Sequence, residues 1–236
     1  MSGRTRILIK IIASGSSGNC YLIEDGVTAV LIECGISYDK IIPHIKKRKI
    51  SGVIVSHEHK DHSKISEKLL NFGYNIYCSA GTSEALNLKN TNIIKSKELF
   101  KIGTLDIMPF DTKHDCNEPL GFLLKSNATG EKLLFATDTY LIKYKFPGVN
   151  YFLIECKYDI ETLNKNIASG SIPKALKNRI LKSHLSLENL IDYFKKIDLS
   201  KAEKIYLIHI SSGNLDFKKA VEEIQQLTFA EVKTFN

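Results

Sequence analysis

Short apolar runs, broken by small or acidic residues, recur along the whole chain. Residues 7–13 form the first, rich in β-branched side chains, and lead into the small-residue loop Ser14-Gly15-Ser16-Ser17-Gly18-Asn19. Residues 21–24 and 27–33 flank an Asp25-Gly26 turn, the pattern of a β-hairpin. Tyr38, Ile41, Ile42 and Ile45 then fall at helical spacing, as do Ile65, Leu69 and Leu70. Between them, residues 52–55 read as a buried strand running straight into His57. Further short strands are predicted over residues 75–78, 104–109, 121–125, 132–136, 151–155 and 205–208. Residues 159–182 read as one or two helices. Ser186 is a good helix cap ahead of Leu187, Leu190, Ile191 and Phe194. Ala220, Val221, Ile224 and Leu227 stripe a last helix. An early hairpin excludes a simple doubly wound parallel sheet. Two sheets with helices outside bury these faces most economically.

Composition narrows the class. With 43% apolar and 25% charged residues the chain is ordinary for a globular protein. Neither a 20–50-residue repeat nor a flexible linker divides its 236 residues, so one domain spanning 1–236 is expected. No apolar run approaches the ~20 residues of a membrane helix, and the first apolar stretch, broken by Lys10, reads as a strand and not a signal peptide. Five scattered cysteines without a CxxC pair argue against a disulfide framework and for the cytoplasm. The net charge is +7, and all but four of the 33 basic residues are lysine. Such an excess is either a solvated surface or a field that draws in an anionic partner.

The decisive string is Ser56-His57-Glu58-His59-Lys60-Asp61-His62, between an apolar strand and a helix. Three of the seven histidines lie within these residues. Imidazoles and carboxylates are what Zn²⁺ and similar ions bind. His57 and His59 point the same way at a strand end, while Asp61 and His62 reach a second point, so one loop can serve two ions.

HxHxDH is the signature of the metallo-β-lactamase superfamily, which this chain resembles over nearly its whole length. His114 in Thr112-Lys113-His114-Asp115, Asp138 in Phe135-Ala136-Thr137-Asp138-Thr139, and His209 in Tyr206-Leu207-Ile208-His209-Ile210-Ser211 match the later motifs in order. The resemblance implies an α/β (α+β) fold, a four-layer αββα sandwich of two mixed sheets face to face with helices outside. It also implies two divalent ions, zinc first and manganese as the alternative. His57, His59 and His114 would hold one, and Asp61, His62 and His209 the other. Asp138 would bridge them together with a hydroxide that attacks the substrate. Glu33-Cys34-Gly35 stands where the family has D-x-G, so Glu33 would support the histidine loop with a side chain one methylene longer.

Within the superfamily, the ASGSSGN loop and the NRILKSHLS and IYLIHIS blocks look most like the YycJ/WalJ-like group, near the tRNase Z nuclease branch. That group uses a Glu and a His outside the metal ligands, matched here by Glu155 and His184. With Asp61, these are the expected catalytic residues, His184 donating a proton to the leaving oxygen. The pair favours a phosphodiesterase, and nucleic acid is the first substrate class expected, in a nuclease- or exonuclease-like reaction. A cyclic-nucleotide phosphodiesterase and a thioester or lactone hydrolase are the alternatives. Ser16, Asn19, Lys157 and Ser211 are weaker substrate-contact expectations. No membrane partner is expected, and a homodimer is left open.

Overall fold

The computed structural model describes residues 5–211 and 213–235. The chain forms two mixed sheets, six- and seven-stranded, with helices, an α/β architecture. It divides into two compact units, Met1–Asp111 with Cys116–Lys132, and Thr112–Asp115 with Leu133–Asn236.

The first unit opens with β1 (Leu8–Ala13), β2 (Cys20–Glu24) and β3 (Ala29–Ile32). These pair antiparallel in sequence, and the Asp25-Gly26 turn closes the β2–β3 hairpin. Helix α1 (Tyr38–Ile45) leads to β4 (Ile50–Ile54), and α2 (Lys60–Ser63) and α3 (Ser66–Asn71) lead to β5 (Ile76–Cys78). Helix α4 (Ala80–Ala85) precedes β6 (Asn92–Ile93). Strands β3 to β6 run parallel, in the order β1-β2-β3-β4-β5-β6. The central strands β2 and β3 are apolar, and Val53 and Ile54 of β4 are fully buried, as expected where both faces of a strand are covered. One core gathers Leu22, Leu31, Ile41, Val53, Val55, Leu69 and Ile76. An antiparallel meander of β7 (Phe100–Ile102), β8 (Leu105–Asp111) and β9 (Leu120–Ser126) completes the unit.

The second unit is built on β10 (Lys132–Ala136), β11 (Tyr151–Glu155), β12 (Lys204–Ile208) and β13 (Glu231–Thr234), all parallel. Three helices, α5 (Ile160–Ala168), α6 (Lys174–Ser183) and α7 (Leu187–Phe194), connect β11 to β12. The expected cap is present: the Ser186 hydroxyl accepts the Asn189 N–H at 3.1 Å. Phe194 of α7 meets Phe152 of β11 edge to face, with ring centroids 5.4 Å apart. Helix α8 (Phe217–Thr228) precedes β13. Among the described residues no helix is long and apolar enough to cross a membrane.

Candidate metal centre

In the first unit the histidine loop leaves the carboxyl end of β4, the edge where open α/β sheets place ligands. His57 is buried, and its Nδ1 lies 2.8 Å from the Ser56 hydroxyl. The His57 ring sits 4.8 Å from that of His59 and 4.2 Å from that of His62, centroid to centroid. His62 Nε2 is 3.2 Å from the Asp61 carboxylate. One loop therefore gathers three imidazoles and a carboxylate.

Two neighbouring segments hold that loop. Glu33 is fully buried, and its carboxylate accepts the Ser56 N–H at 3.3 and 3.4 Å and lies 3.6 Å from His62 Nδ1. The Glu33 side chain thus reaches the histidine loop. Burial pushes the Glu33 carboxyl up, opposed by His62 and the Ser56 hydrogen bonds. The backbone of the same segment bonds the loop directly, Cys34 N–H donating to the His62 carbonyl at 2.7 Å. Gly35 passes so close that an added Cβ would collide with the Asp61 carbonyl.

Asn19, expected at the substrate, is instead a buried brace. Its backbone N–H and side-chain amide both donate to the Asp61 carbonyl, at 2.7 and 3.1 Å. The amide also lies 3.3 Å from His62 Nε2 and bonds the Gly15 carbonyl. Ser16 stays exposed at the tip of the same turn.

The second unit gathers its own cluster at the carboxyl ends of parallel strands. Asp138 follows β10, Glu155 ends β11 and His209 follows β12. Register puts Ala136 beside Ile154, and Glu155 beside Ile208. His184 stands at the extended end of α6. Asp138, Glu155, His184 and His209 each offer one ligand atom, all within 4.8 Å of one another. His184 Nδ1 is 2.7 Å from Glu155 Oε1 and 3.0 Å from Asp138 Oδ1. His209 Nδ1 is 3.4 Å from Asp138 Oδ1. His114 Nε2 lies 3.8 Å from Asp138 Oδ2, and its Nδ1 meets the Ser183 carbonyl at 3.0 Å, which orients the ring. The other Glu155 oxygen accepts the backbone N–H groups of Thr139 and Leu185, both at 3.1 Å. Glu155 is thereby fixed, and it fixes His184.

Charge and burial oppose each other here. Burial works against an imidazolium at His184, but Glu155 and Asp138 outweigh it and lift its pKa to about 9. Burial dominates at His114 and lowers its pKa against the pull of Asp138. Asp138, His209 and Glu33 all hold left-handed backbone, with φ of 44°, 53° and 63°. Non-glycine residues in that region carry strain, which clusters at functional sites.

Lys157, read from sequence as a substrate contact, is buried with its ammonium 2.7 Å from His209 Nδ1. The Ser211 hydroxyl accepts the Asn214 amide at 3.1 Å. Asn117, a further candidate from sequence, donates its backbone N–H to Glu58 at 2.8 Å, while sequence reasoning passed over Ser56 beside His57. A Ser ahead of a metal motif carries no periodic signal.

The family model described as the β-lactamase superfamily domain matches residues 28–210. The chain belongs to the metallo-β-lactamase superfamily. It is 30% identical over 225 residues to exodeoxyribonuclease WalJ of Streptococcus pneumoniae, an alignment covering 86% of this chain and 81% of that one. It is 27% identical over 223 residues to exodeoxyribonuclease YycJ of Bacillus anthracis, covering 86% and 82%. The metallo-β-lactamase fold protein YhfI from Bacillus subtilis superposes with a TM-score of 0.75 at 16% identity, covering 96% of this chain and 95% of that one. Family and donor set agree on divalent-metal binding, since imidazoles and carboxylates are the ligands such ions take.

Proposed function

We propose that this protein is a two-metal phosphodiesterase that degrades DNA, its centre made from the histidine loop and the strand-end cluster acting as one domain. His57, His59 and His114 would hold one ion and Asp61, His62 and His209 the other, with Asp138 available to both. Zinc is the first choice by ligand type, manganese the alternative. When bound, the ions would supply Lewis-acid polarisation of the phosphoryl group and of the attacking water. The observation that carries the reading is the His184–Glu155 pair beside Asp138, in a chain whose relatives are named exodeoxyribonucleases. Glu155 accepts the His184 Nδ1 proton, which leaves Nε2 to deliver a proton to a leaving alkoxide. Phosphodiester cleavage needs such a donor at oxygen. Four buried cysteines, Cys20, Cys34, Cys78 and Cys156, are free thiols, which suits the cytoplasm.

The test is a panel of single- and double-stranded DNA, RNA, a cyclic nucleotide and a thioester, each with Zn²⁺ or Mn²⁺. Release of mononucleotides from DNA is expected. Thioester hydrolysis without phosphodiester cleavage contradicts the reading. His184→Ala is expected to slow DNA cleavage by about 10²–10⁴-fold. The loss should be smaller on bis-p-nitrophenyl phosphate, whose leaving group needs little protonation, with metal content unchanged. Equal loss on both substrates would make His184 a positioning residue and not the acid.

A further inference from the structure

A second concave site lies in the second unit, outside the histidine and carboxylate cluster. It is a cavity of about 260 Å³, near the small end of the ~300–1,000 Å³ range of ligand pockets. One wall is the segment 140–145, the other is α7 with Lys196 just beyond it. Lys143, Lys145 and Lys196 line it against a single carboxylate, Asp192. Among the described residues, neither Lys145 nor Lys196 forms a salt bridge.

The floor carries a second signal. Tyr193 is 7% exposed, and its hydroxyl has no hydrogen-bond partner among the described residues. A buried hydroxyl left without a partner is destabilising, so a ligand that fills the gap gains from it. Burial pushes the phenol up, so it stays a donor. Tyr140, which also lines the cavity, is 36% exposed.

Both walls are tied to the site already described. The first begins two residues after Asp138, and Tyr140 N–H donates to the Lys113 carbonyl next to His114 at 3.0 Å. The second is capped by Ser186, two residues after His184. The Asn189 amide donates to the Tyr140 carbonyl at 3.4 Å and links the two. Both walls therefore join the cluster at Asp138 and His184 within two residues along the chain.

We propose that the cavity binds a phosphate of the substrate strand next to the scissile one, through Lys145, Lys196 and the Tyr193 hydroxyl. The proposal rests on the phosphodiesterase reading and gives it a substrate: a chain with neighbouring phosphates, which a cyclic mononucleotide lacks. Lysines serve here as point charges, and the phenol adds one directional bond.

Binding can be measured apart from turnover. A fluorescent single-stranded oligothymidylate is titrated in EDTA across a salt series, with circular dichroism melts to confirm folding of each variant. The double variant Lys145→Ala/Lys196→Ala is expected to bind about tenfold more weakly. Its log–log salt slope should fall by about 1.4, about 0.7 for each lysine on a single strand. Tyr193→Phe should weaken binding severalfold with the slope unchanged. Lys218→Ala, at an exposed position on α8 outside the cavity, should match wild type. Wild-type affinity and slope in the folded double variant overturn the proposal, and so does an equal loss in Lys218→Ala, which would make the effect one of net charge. An oligothymidylate with an uncharged methylphosphonate backbone should bind wild type and double variant alike. A difference there contradicts phosphate recognition. If wild type shows the expected pattern but cleaves no strand with metal, the cavity stands and the catalytic reading falls. If wild type cleaves DNA and the double variant binds as it does, the catalytic reading stands and the cavity falls.

Discussion

Glycine 35 shows how a side chain's absence can matter as much as a ligand's presence. The histidine loop folds back on the segment 33–35, and the Asp61 carbonyl occupies the space where a Gly35 Cβ would stand. Gly18 meets the Gly35 carbonyl in the same way, at φ +147°. The two glycines, one in ASGSSGN and one in ECG, let three backbone segments stack beneath the loop. Gly35→Ala must push the loop away, at about 1–3 kcal/mol by the usual cost of overpacking. A urea-unfolding series should show that loss, together with weaker metal retention. A variant as stable as wild type with full metal would contradict this contact. The clustering of candidate ligands was legible in sequence because HxHxDH compresses them into one loop. The roles of Asn19 and Lys157 were not, because a polar residue near a motif looks the same whether it faces substrate or braces a ligand. Only the distances from Asn19 to Asp61 and from Lys157 to His209 separate the two.

At the scale of elements, apolar runs long enough to show a period were readable, and β2, β4, β10, β11 and β12 lie where the runs place them. Strands β6 and β7 span two and three residues, too few for alternation to register. Helix α4, Ala-Gly-Thr-Ser-Glu-Ala, has no apolar stripe and is held by its ends: the Ser79 hydroxyl accepts the Thr82 N–H, and Gly81 N–H donates to Glu118. Strand β13 is a half-exposed edge. The Asp25 turn, read from sequence only as a hairpin, proves to be a junction. One carboxylate oxygen accepts the Val27 and Thr28 N–H groups, and the other accepts the Thr104 and Ser126 hydroxyls at 2.6 and 2.7 Å. It ties the β2–β3 hairpin to the β7–β8 turn and the end of β9. Burial raises the Asp25 pKa, but these four bonds outweigh it and hold the carboxyl below its ordinary value. A depressed carboxylate contributes stability above its unfolded pKa of ~3.9, and that stability is lost as pH falls through the folded value. Asp25→Asn should therefore cost about 1.5–3 kcal/mol near pH 6, with the gap to wild type narrowing toward pH 3. Chemical denaturation at both pH values checks it; a gap that stays constant would contradict the assignment.

For the whole molecule, the excess of lysine now has one local explanation and one general one. Three of the lysines line a single cavity, while a surplus of +7 draws polyanions from any direction. The central claim does not depend on that field. It is the proposal that His57, His59, Asp61 and His62 of the loop after β4, together with His114 and His209, would hold one pair of ions, with Asp138 common to both. Metal stoichiometry by elemental analysis tests this most directly, on protein loaded with Zn²⁺ or Mn²⁺ and freed of excess. Wild type should retain two ions per chain, His59→Ala and His209→Ala about one each, and Asp138→Ala fewer than either. Wild type without stoichiometric metal, or Asp138→Ala retaining both ions, would contradict it.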